Sequence, residues 1–418
     1  MSPATTWIIG AGLAGLSAAT ALAGLGRRVE LIEGAAQPGG RCRSYFDPQL
    51  GMTIDNGNHL VLSGNRAVMA YLRRVGAADR LAGPDKAEIA FADLRTGLRW
   101  TVRPNDGPLP WWIFDPRRRV AGTGPLDYLG LLALLYPPAG RRVDQVLACR
   151  GPLWDRLMDP FLLAVLNIRP EEGSADLAAA VMRETLAKGG AACRPRIASP
   201  TLAAAFIDPA VAYLEAHGGR LRCGRRARAL NYEEGRVAAI QLPDEEILIG
   251  ADDSVVVATP PWTVKELVPG TDAPDQFCAI VNAHFKLEPP PGLAPMLGLI
   301  GGTAEWIFAF EDRISVTVSG ADRLLDIDRE TLAATLWEDV AQAHGLSADL
   351  PPWQIVKERR AAFAATPKQA ARRPGARTRW SNLFLAGDWT ATGLPATIEG
   401  ALRSGETAAD LAMAGVGV

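Results

Sequence analysis

The first forty residues carry a hydrophobic pattern that changes from strand to helix and back to strand. Short apolar runs at 6–9 and 29–32 predict strands, and between them apolar residues repeat at helical spacing over 13–25. These elements predict one βαβ unit. A second, amphipathic helix is predicted over 64–76, which has a glycine at each end.

The middle and the end of the chain follow different patterns. Apolar runs over 87–102 are short and strand-like, whereas 126–186 is rich in Leu and Ala, is interrupted by prolines and predicts several helices. Further strands are predicted at 220–223, 237–242, 247–249 and 255–258. The last of these is wholly apolar, which predicts burial on both faces. The chain closes with a predicted strand at 383–386 and a predicted helix at 397–413.

Residues 277–287 alternate strictly between an apolar and a more polar face. The polar face carries Cys278, Ile280, Asn282, His284 and Lys286. This alternation predicts an antiparallel strand that is covered on one side only, with His284 on a solvated face. Strands at 304–310 and 314–318 continue the predicted sheet, and a helix is predicted over 329–343.

These elements predict an α/β fold with an interrupted layout. Residues 1–85, 215–270 and 375–418 are expected to assemble one Rossmann-type, nucleotide-binding domain from discontinuous segments. Residues 86–214 and 271–374 are expected to form an inserted α+β substrate domain of mixed sheet plus helices.

Composition and charge exclude several classes of protein. The chain has 418 residues, of which 48% are hydrophobic and 22% charged, as in a folded globular protein. A net charge of −2 gives no field that attracts nucleic acid. The five cysteines include no C-x-x-C pair for a metal, and no signal-peptide pattern is visible, so a cytoplasmic location is expected. The longest apolar stretch, 126–138, is shorter than the about 18 residues that span a bilayer.

A glycine-rich motif stands between the first predicted strand and helix. It reads G-x-G-x-x-G and consists of Gly10, Ala11, Gly12, Leu13, Ala14 and Gly15. Gly10 permits a tight turn, Gly12 lets the backbone approach a diphosphate at the helix N-terminus, and Gly15 allows close helix packing. Glu33 ends the next strand at the spacing of about 20 residues that this motif requires. We therefore expect Glu33 to bind the adenosine ribose of a dinucleotide.

A second glycine segment follows the acidic residue. Gly39 and Gly40 offer another backbone approach to the phosphates, and the guanidinium of Arg41 would neutralise their charge. The G-x-G-x-x-G motif occurs only once, so a fixed NAD(P)H site of the disulfide-reductase type is not expected.

The C-terminal region supplies a third cofactor segment. Gly387 and Asp388 follow a predicted strand, and Asp388 is expected to bind a ribityl hydroxyl. The last helix begins near Thr397 and Ile398, where its amides would face the electron-rich N1/O2 edge of a flavin. Together with the first motif, this segment favours FAD over NAD as the cofactor.

These motifs resemble those of a known superfamily. GAGLAGLSAA, GGR, AGDWT and GLPATIEGALRSGE resemble the flavin amine oxidase and phytoene desaturase superfamily. Within it, residues 39–65, 154–175 and 383–409 resemble the hydroxysqualene dehydroxylase family, the squalene-associated FAD proteins of bacterial hopanoid biosynthesis. The resemblance implies that a hydride from reduced FAD replaces the hydroxyl of hydroxysqualene to give squalene, with an electron donor that remains unidentified.

Ionisation of an allylic alcohol needs a proton donor at the leaving oxygen and a pocket free of nucleophiles. His59, in the segment DNGNH, is the best candidate for this catalytic acid. A hydrogen-bonded structural histidine is an equally good interpretation of His59. His217 and His344 are expected at helix ends, and Asp55 is expected to stabilise a turn.

Two apolar regions suit a long-chain isoprenoid substrate. Residues 126–136 and 161–166 would line a tunnel, dip into one leaflet or simply form core, and core is the more common role of such segments. The adjacent Trp111 and Trp112 would sit at a membrane interface or pack in the interior. Peripheral association with the inner face of the membrane is therefore a hypothesis.

Two other functions share the cofactor motifs. A phytoene-desaturase-like or amine-oxidase-like enzyme would oxidise its substrate with the same FAD site. A non-catalytic isoprenoid-binding flavoprotein would use FAD only structurally. The residues alone leave these alternatives open.

Overall fold

The computed structural model describes residues 4–414. Its strands are β1 (Thr5–Ile9), β2 (Arg28–Ile32), β3 (Ser44–Asp47), β4 (Met52–Asp55), β5 (Leu60–Leu62), β6 (Leu81–Ala82), β7 (Ile89–Asp93), β8 (Arg99–Val102), β9 (Pro195–Ala198), β10 (Arg220–Arg222), β11 (Ala229–Glu233), β12 (Arg236–Gln241), β13 (Glu246–Leu248), β14 (Ser254–Val257), β15 (Phe277–Lys286), β16 (Met296–Ile300), β17 (Trp306–Ala309), β18 (Arg313–Val318), β19 (Trp353–Phe363) and β20 (Leu383–Leu385). Its α-helices are α1 (Leu13–Gly24), α2 (Arg66–Arg74), α3 (Leu131–Leu135), α4 (Asp159–Leu166), α5 (Ala175–Glu184), α6 (Asp208–Ala216), α7 (Pro261–Leu267), α8 (Arg329–His344), α9 (Pro367–Ala370) and α10 (Ile398–Ala414).

A five-stranded parallel sheet forms the centre of the first domain. Its strand order is β10–β2–β1–β14–β20, so strands that are distant in the chain lie side by side. The wholly apolar β14 is buried along its full length, as the sequence predicts. Helix α10 packs so closely on α1 that a Cβ at Gly405 would lie 2.3 Å from the carbonyl oxygen of Ala14. This sheet confirms the predicted Rossmann-type domain built from discontinuous segments.

A seven-stranded mixed sheet forms the centre of the second domain. Its order is β19–β15–β18–β17–β16–β7–β8, and within it only β16 and β7 pair in parallel. Helix α8 covers one face through an apolar cluster that includes Phe285, Ile307 and Trp337. The predicted mixed sheet plus helices is thus confirmed.

The helical region between the two sheets is built from short pieces. Helices α3, α4 and α5 join several shorter turns, and their apolar side chains share one cluster with the strands of the mixed sheet. None of the helices within residues 4–414 is both long and apolar enough to cross a bilayer.

The prediction that β15 is covered on one side only is wrong. The side chains of Asn282 and His284 are 2% and 0% exposed. His284 Nδ1 lies 2.8 Å from Ser315 Oγ, and its Nε2 lies 3.0 Å from the carbonyl oxygen of Asp55. The strand β4 and the loop after it cover this face, and they supply the polar partners that its side chains need. An alternating pattern cannot distinguish a solvated polar face from one that is buried against another domain.

Helix α6 packs with the first domain. Its Leu214 shares a cluster with Leu16 of α1, and Tyr71 Oη donates a hydrogen bond of 2.8 Å to the carbonyl oxygen of Phe206, just before α6. The parallel-sheet domain therefore includes this helix, although the sequence places the domain change at residue 215.

Candidate functional site

The glycine loop after β1 is shaped by contacts that tolerate no side chain. Gly10 has a φ of +107°, and a Cβ there would lie 2.6 Å from the carbonyl oxygen of Ala258. A Cβ at Gly15 would lie 1.8 Å from the carbonyl oxygen of Gly10. These two glycines therefore make the tight turn and the close helix packing that the motif predicts.

The N-terminus of α1 opens onto free space between two glycine segments. Gly12 caps the helix in an extended conformation, and a Cβ there would meet nothing within 4 Å. Gly39 donates a backbone hydrogen bond of 2.8 Å to the carbonyl oxygen of Ala11, and a Cβ at Gly40 would lie 3.4 Å from the Cα of Gly12. The segments thus form a cradle in which the first-turn amides, at Leu13 and Ala14, fit a diphosphate.

Glu33 lies at the edge of this cradle. Its Oε2 accepts a hydrogen bond of 2.7 Å from the backbone N–H of Ala11, and its Oε1 accepts one of 2.8 Å from that of Ala35. The carboxylate therefore holds the glycine loop in place, and its remaining lone pairs suit ribose hydroxyls.

An ion pair joins the second and third predicted cofactor segments. Arg41 Nη2 lies 2.8 Å from Asp388 Oδ1, and Arg41 Nη1 donates to the carbonyl oxygen of Ala361 at 2.5 Å. Burial lowers the pKa of Arg41, but the charge of Asp388 more than offsets this and raises the pKa above its usual value. Arg41 thus stays charged beside a buried carboxylate, which places both predicted cofactor ligands at one point.

The turn after β20 is held against helix α10. Gly387 donates a backbone hydrogen bond of 2.8 Å to Ser404 Oγ, which fixes the turn that carries Asp388. Thr397 Oγ1 accepts a hydrogen bond of 3.0 Å from the backbone N–H of Gly400. Thr397 therefore caps the helix, and Ile398 is its first residue, as expected for a helix whose amides face a flavin edge.

Arg373, a buried cation beside this turn, was not predicted from the sequence. Its Nη2 donates to the carbonyl oxygen of Asp388 at 3.0 Å and to Thr392 Oγ1 at 2.8 Å. Burial lowers the pKa of Arg373 to about 10. No local motif identifies this residue, because its partners lie 15 and 19 positions further along the chain.

His59 lies within the electrostatic reach of the Arg41–Asp388 pair. Its side chain is half-buried. Burial, with a further effect of Arg41, lowers the pKa of His59 to about 4, while Asp388 opposes this shift. The imidazole of His59 is therefore neutral at neutral pH.

Asp55 is a long-range partner rather than a turn residue. Its Oδ1 accepts hydrogen bonds from Ser44 Oγ at 2.6 Å and from the backbone N–H of Leu202 at 2.9 Å. Its Oδ2 lies 3.6 Å from Nη2 of the buried Arg313. Asp55 therefore does not stabilise a local turn, as was expected. It joins three other segments of the chain, because it lies at the end of β4 beneath the mixed sheet.

A polar cluster, not predicted from the sequence, joins the neighbours of His59 to the mixed sheet. Thr317 Oγ1 donates to Asn282 Oδ1 at 2.8 Å and accepts from Asn58 Nδ2 at 3.1 Å. The side-chain oxygens of Asn56 and Asn58 are buried and have no hydrogen-bond partner among residues 4–414. Such orphaned acceptors suit a bound group with N–H or O–H donors. An indication in the sequence was Asn282, on the polar face of β15 two positions before His284.

Comparisons with known proteins agree with this geometry. Residues 13–413 match the family model described as flavin-containing amine oxidoreductase. A protein of Rhodopseudomonas palustris named hydroxysqualene dehydroxylase is 53% identical over 98% of each chain. One of the same name from Sinorhizobium fredii is 50% identical over 98% of this chain and 99% of the relative. The crystal structure of an oxidoreductase from Methanosarcina mazei has a TM-score of 0.73 at 16% identity, covering 97% of this chain and 100% of the other.

Replacement of Glu33 by Ala should weaken FAD binding. The change removes a charged acceptor near the ribose and two hydrogen bonds that hold the loop, and each bond to a charged group is worth about 1.5–3 kcal/mol. We expect the dissociation constant of FAD to rise about 10- to 100-fold, measured by titration of apoprotein with FAD. Glu30→Gln is the control, because Glu30 is buried in β2, three residues before Glu33, and pairs with Arg28. Unchanged affinity in Glu33→Ala would contradict the ribose assignment.

Proposed function

The chain belongs to the family of flavin-containing amine oxidoreductases, and we propose that it uses FAD to convert hydroxysqualene into squalene. Two relatives that carry the dehydroxylase name, at about half identity over nearly the whole chain, are the observation on which this proposal rests. The protein is an FAD-dependent oxidoreductase. Its electron donor remains unidentified.

The cofactor site suits FAD in each of its parts. The cradle at Gly12 and Gly40 would hold the diphosphate, Glu33 the ribose, and Asp388 the ribityl chain. The N-terminus of α10 would face the flavin ring. When bound and reduced, FAD supplies a hydride.

At the reacting carbon of the substrate one bond is broken and one is formed. The substrate carbon loses its hydroxyl, which takes up a proton and leaves as water. The same carbon gains the hydride with its two electrons, so the substrate is reduced and the flavin is oxidised. The protein must therefore hold the hydroxyl, deliver a proton to it and keep water from the carbon.

An anaerobic single-turnover experiment tests this function. The reduced holoenzyme should be reoxidised by hydroxysqualene, with one squalene formed for each flavin. A desaturase or an amine oxidase would instead reduce its oxidised flavin with its own substrate, and a carrier protein would do neither. Failure of hydroxysqualene to reoxidise the reduced wild-type flavin would reject the proposal.

We propose His59 as the proton donor. It lies close to the Arg41–Asp388 pair, and the same loop carries Asn58 of the polar cluster. An acid of this kind accelerates such a step about 100- to 10,000-fold. Since the pKa of His59 is lowered to about 4, its charged form becomes about tenfold rarer with each pH unit above that value.

Flavin reoxidation by hydroxysqualene should therefore slow as the pH rises above 5. His59→Gln should bind FAD normally, react at least about 100-fold more slowly and lose this pH dependence. The measurement is stopped-flow absorbance between pH 5 and 8. His217→Gln, an exposed histidine at the end of α6, is the control. A Gln variant with near wild-type rates would leave His59 only a positioning role.

A membrane surface is also part of the proposed function, since the substrate is insoluble in water. Large exposed apolar side chains are concentrated in one stretch of the chain. Those within residues 109–136 are Leu109, Trp111, Phe114, Leu126, Leu129, Leu132 and Tyr136, which we call the apolar patch. Trp112 and Tyr128, whose ring centroids are 5.2 Å apart, join its two halves from beneath.

The patch suits the headgroup region of a bilayer. Its side chains are 58% to 80% exposed, and the side chain of the nearby Arg117 is 88% exposed. Tryptophan and tyrosine favour the membrane interface, and arginine favours anionic headgroups. We propose that this patch binds the inner face of the membrane reversibly. The free cysteine thiols agree with the cytoplasmic location that is expected from the sequence.

Liposome co-sedimentation should show partial binding that depends on the patch. Changing Leu126 and Leu129 to Glu should reduce the bound fraction at least about fivefold, because each charge opposes insertion of an exposed leucine. Leu248→Glu is the control, since Leu248 is 75% exposed on β13, outside the patch. Leu135 and Trp112 are unsuitable, because they pack against the core. Equal sedimentation of the patch and control variants would contradict the proposed surface.

A further inference from the structure

A row of directly paired residues crosses the mixed sheet from the polar cluster to its far edge. Consecutive neighbours are paired strand to strand. The row is Asn282 (β15), Thr317 (β18), Trp306 (β17), Gly298 (β16), Phe91 (β7) and Trp100 (β8). Because paired residues share one face of a sheet, these six residues lie on the same side.

This side is the one opposite helix α8. The alternate residues of the same strands, among them Val281, Val316 and Ile307, belong to the cluster that α8 covers. Trp306 and Phe91 belong instead to the cluster shared with the helical region and the apolar patch segment. The row therefore faces the helical region and the patch segment rather than α8.

The row changes character after Thr317. Its first two residues bind Asn58, the neighbour of His59. Beyond them the row holds only aromatic rings and a glycine, with no oxygen or sulfur side chain that would attack a carbocation. A chain bound along the row would meet polar groups at one end and π-faces at the other.

Gly298 allows the rings to close over it. A Cβ at this position would lie 2.5 Å from Phe91 Cδ1 and 3.2 Å from Trp306 Cζ3. The rings of Phe91 and Trp306 meet edge to face at 5.6 Å, and Phe91 stacks on Trp100 at 5.4 Å. The aromatic floor is thus held in one arrangement by its own packing.

The indole N–H of Trp306 is buried and has no acceptor among residues 4–414. Trp306 is 7% exposed, whereas its row neighbour Thr317 remains half-buried. The tryptophan that pairs with Thr317 therefore has an indole donor without an acceptor among the described residues, next to the polar cluster.

We propose that Trp306 stabilises the allylic cation that forms when the hydroxyl of the substrate leaves. Asn58 and Thr317 hold that hydroxyl at the polar end of the row, so that the cationic carbon lies over the neighbouring indole. The C–O bond breaks, the oxygen leaves as water with a proton from the acid, and the positive carbon is then reduced by the hydride. This role rests on the proposed function, and it identifies the cation, rather than the neutral chain, as the species that Trp306 recognises.

Binding of a charged analogue tests this recognition without turnover. The probe is a squalene-length amine whose protonated nitrogen replaces the hydroxyl-bearing carbon, and squalene is the neutral reference. Each is titrated into oxidised holoenzyme in detergent micelles, and binding is followed by the change in flavin absorbance. Trp306→Leu should weaken amine binding about 5- to 30-fold and change squalene binding less than about threefold. Trp306→Phe, which keeps a weaker π-face, should fall between.

Trp337→Phe is the matched control. Trp337 is also buried with an unpartnered indole N–H in residues 4–414, but it lies on α8 at the opposite face of the sheet. Trp337→Phe should leave the preference for the amine over squalene unchanged. Equal loss of both ligands in Trp306→Leu, or an undiminished preference for the amine, would overturn the proposal.

Two further measurements keep the test decisive. If Trp306→Leu does not bind FAD, protein produced with fluorinated tryptophan is used instead of that variant. Fluorine weakens the attraction of the ring for cations while nearly preserving its shape. Fluorination should reduce amine affinity in the wild type and not in Trp306→Phe, and an equal effect in both would overturn the proposal. Reoxidation of the reduced wild type by hydroxysqualene is measured alongside. If hydroxysqualene does not reoxidise the flavin, the proposed function is rejected. If it does, but changes at Trp306 leave the preference for the amine unaffected, only this inference is rejected.

Discussion

The buried polar face of β15 and β18 is the constraint on which the site depends. Asn282 and His284 lie beneath the loop that follows β4, and a buried polar group left without a partner costs about 1–3 kcal/mol. His284 bonds to the backbone of Asp55, and Asn282 bonds to the backbone of Asn56 and Asn58, so these two side chains hold that loop in one position. The loop carries Asn58 and His59, so the packing of the two domains decides where these side chains stand relative to the Arg41–Asp388 pair.

What the sequence predicted well was local. The βαβ unit, the turn at Gly10 and the cap at Thr397 depend on neighbours within a few residues, and their spacing predicts them. The loop residues that cover the polar face of β15 are more than two hundred positions away in the chain, and an alternating strand has the same pattern whether its polar side meets water or another domain. For this reason the sequence did not predict the roles of Asn58, Arg373 and the row through Trp306. Each role depends on contacts that form only in the folded chain.

Charge in the site is organised around one ion pair. Arg41 and Asp388 offset each other, so the cradle stays nearly neutral before it receives a diphosphate, and Arg373 adds a buried cation behind the same turn. The same pair acts on His59 in opposite directions, since Arg41 lowers its pKa and Asp388 raises it. Whether His59 carries a proton thus depends on how a bound flavin shares these two charges, because a negative charge near the ring would favour the imidazolium.

The aromatic row and the apolar patch are joined by a short piece of chain. The row ends at Trp100 in β8, and the patch begins nine residues later at Leu109. Between them, Arg103 donates a backbone hydrogen bond to the carbonyl oxygen of Arg118 at 2.9 Å, which folds the patch segment back beside β8. Strands in a sheet are about 4.8 Å apart, so the four steps from Thr317 to Trp100 cover about 19 Å. The proposed substrate, a flexible thirty-carbon chain, is longer than this, so it is long enough to extend from the patch end of the row to its polar end.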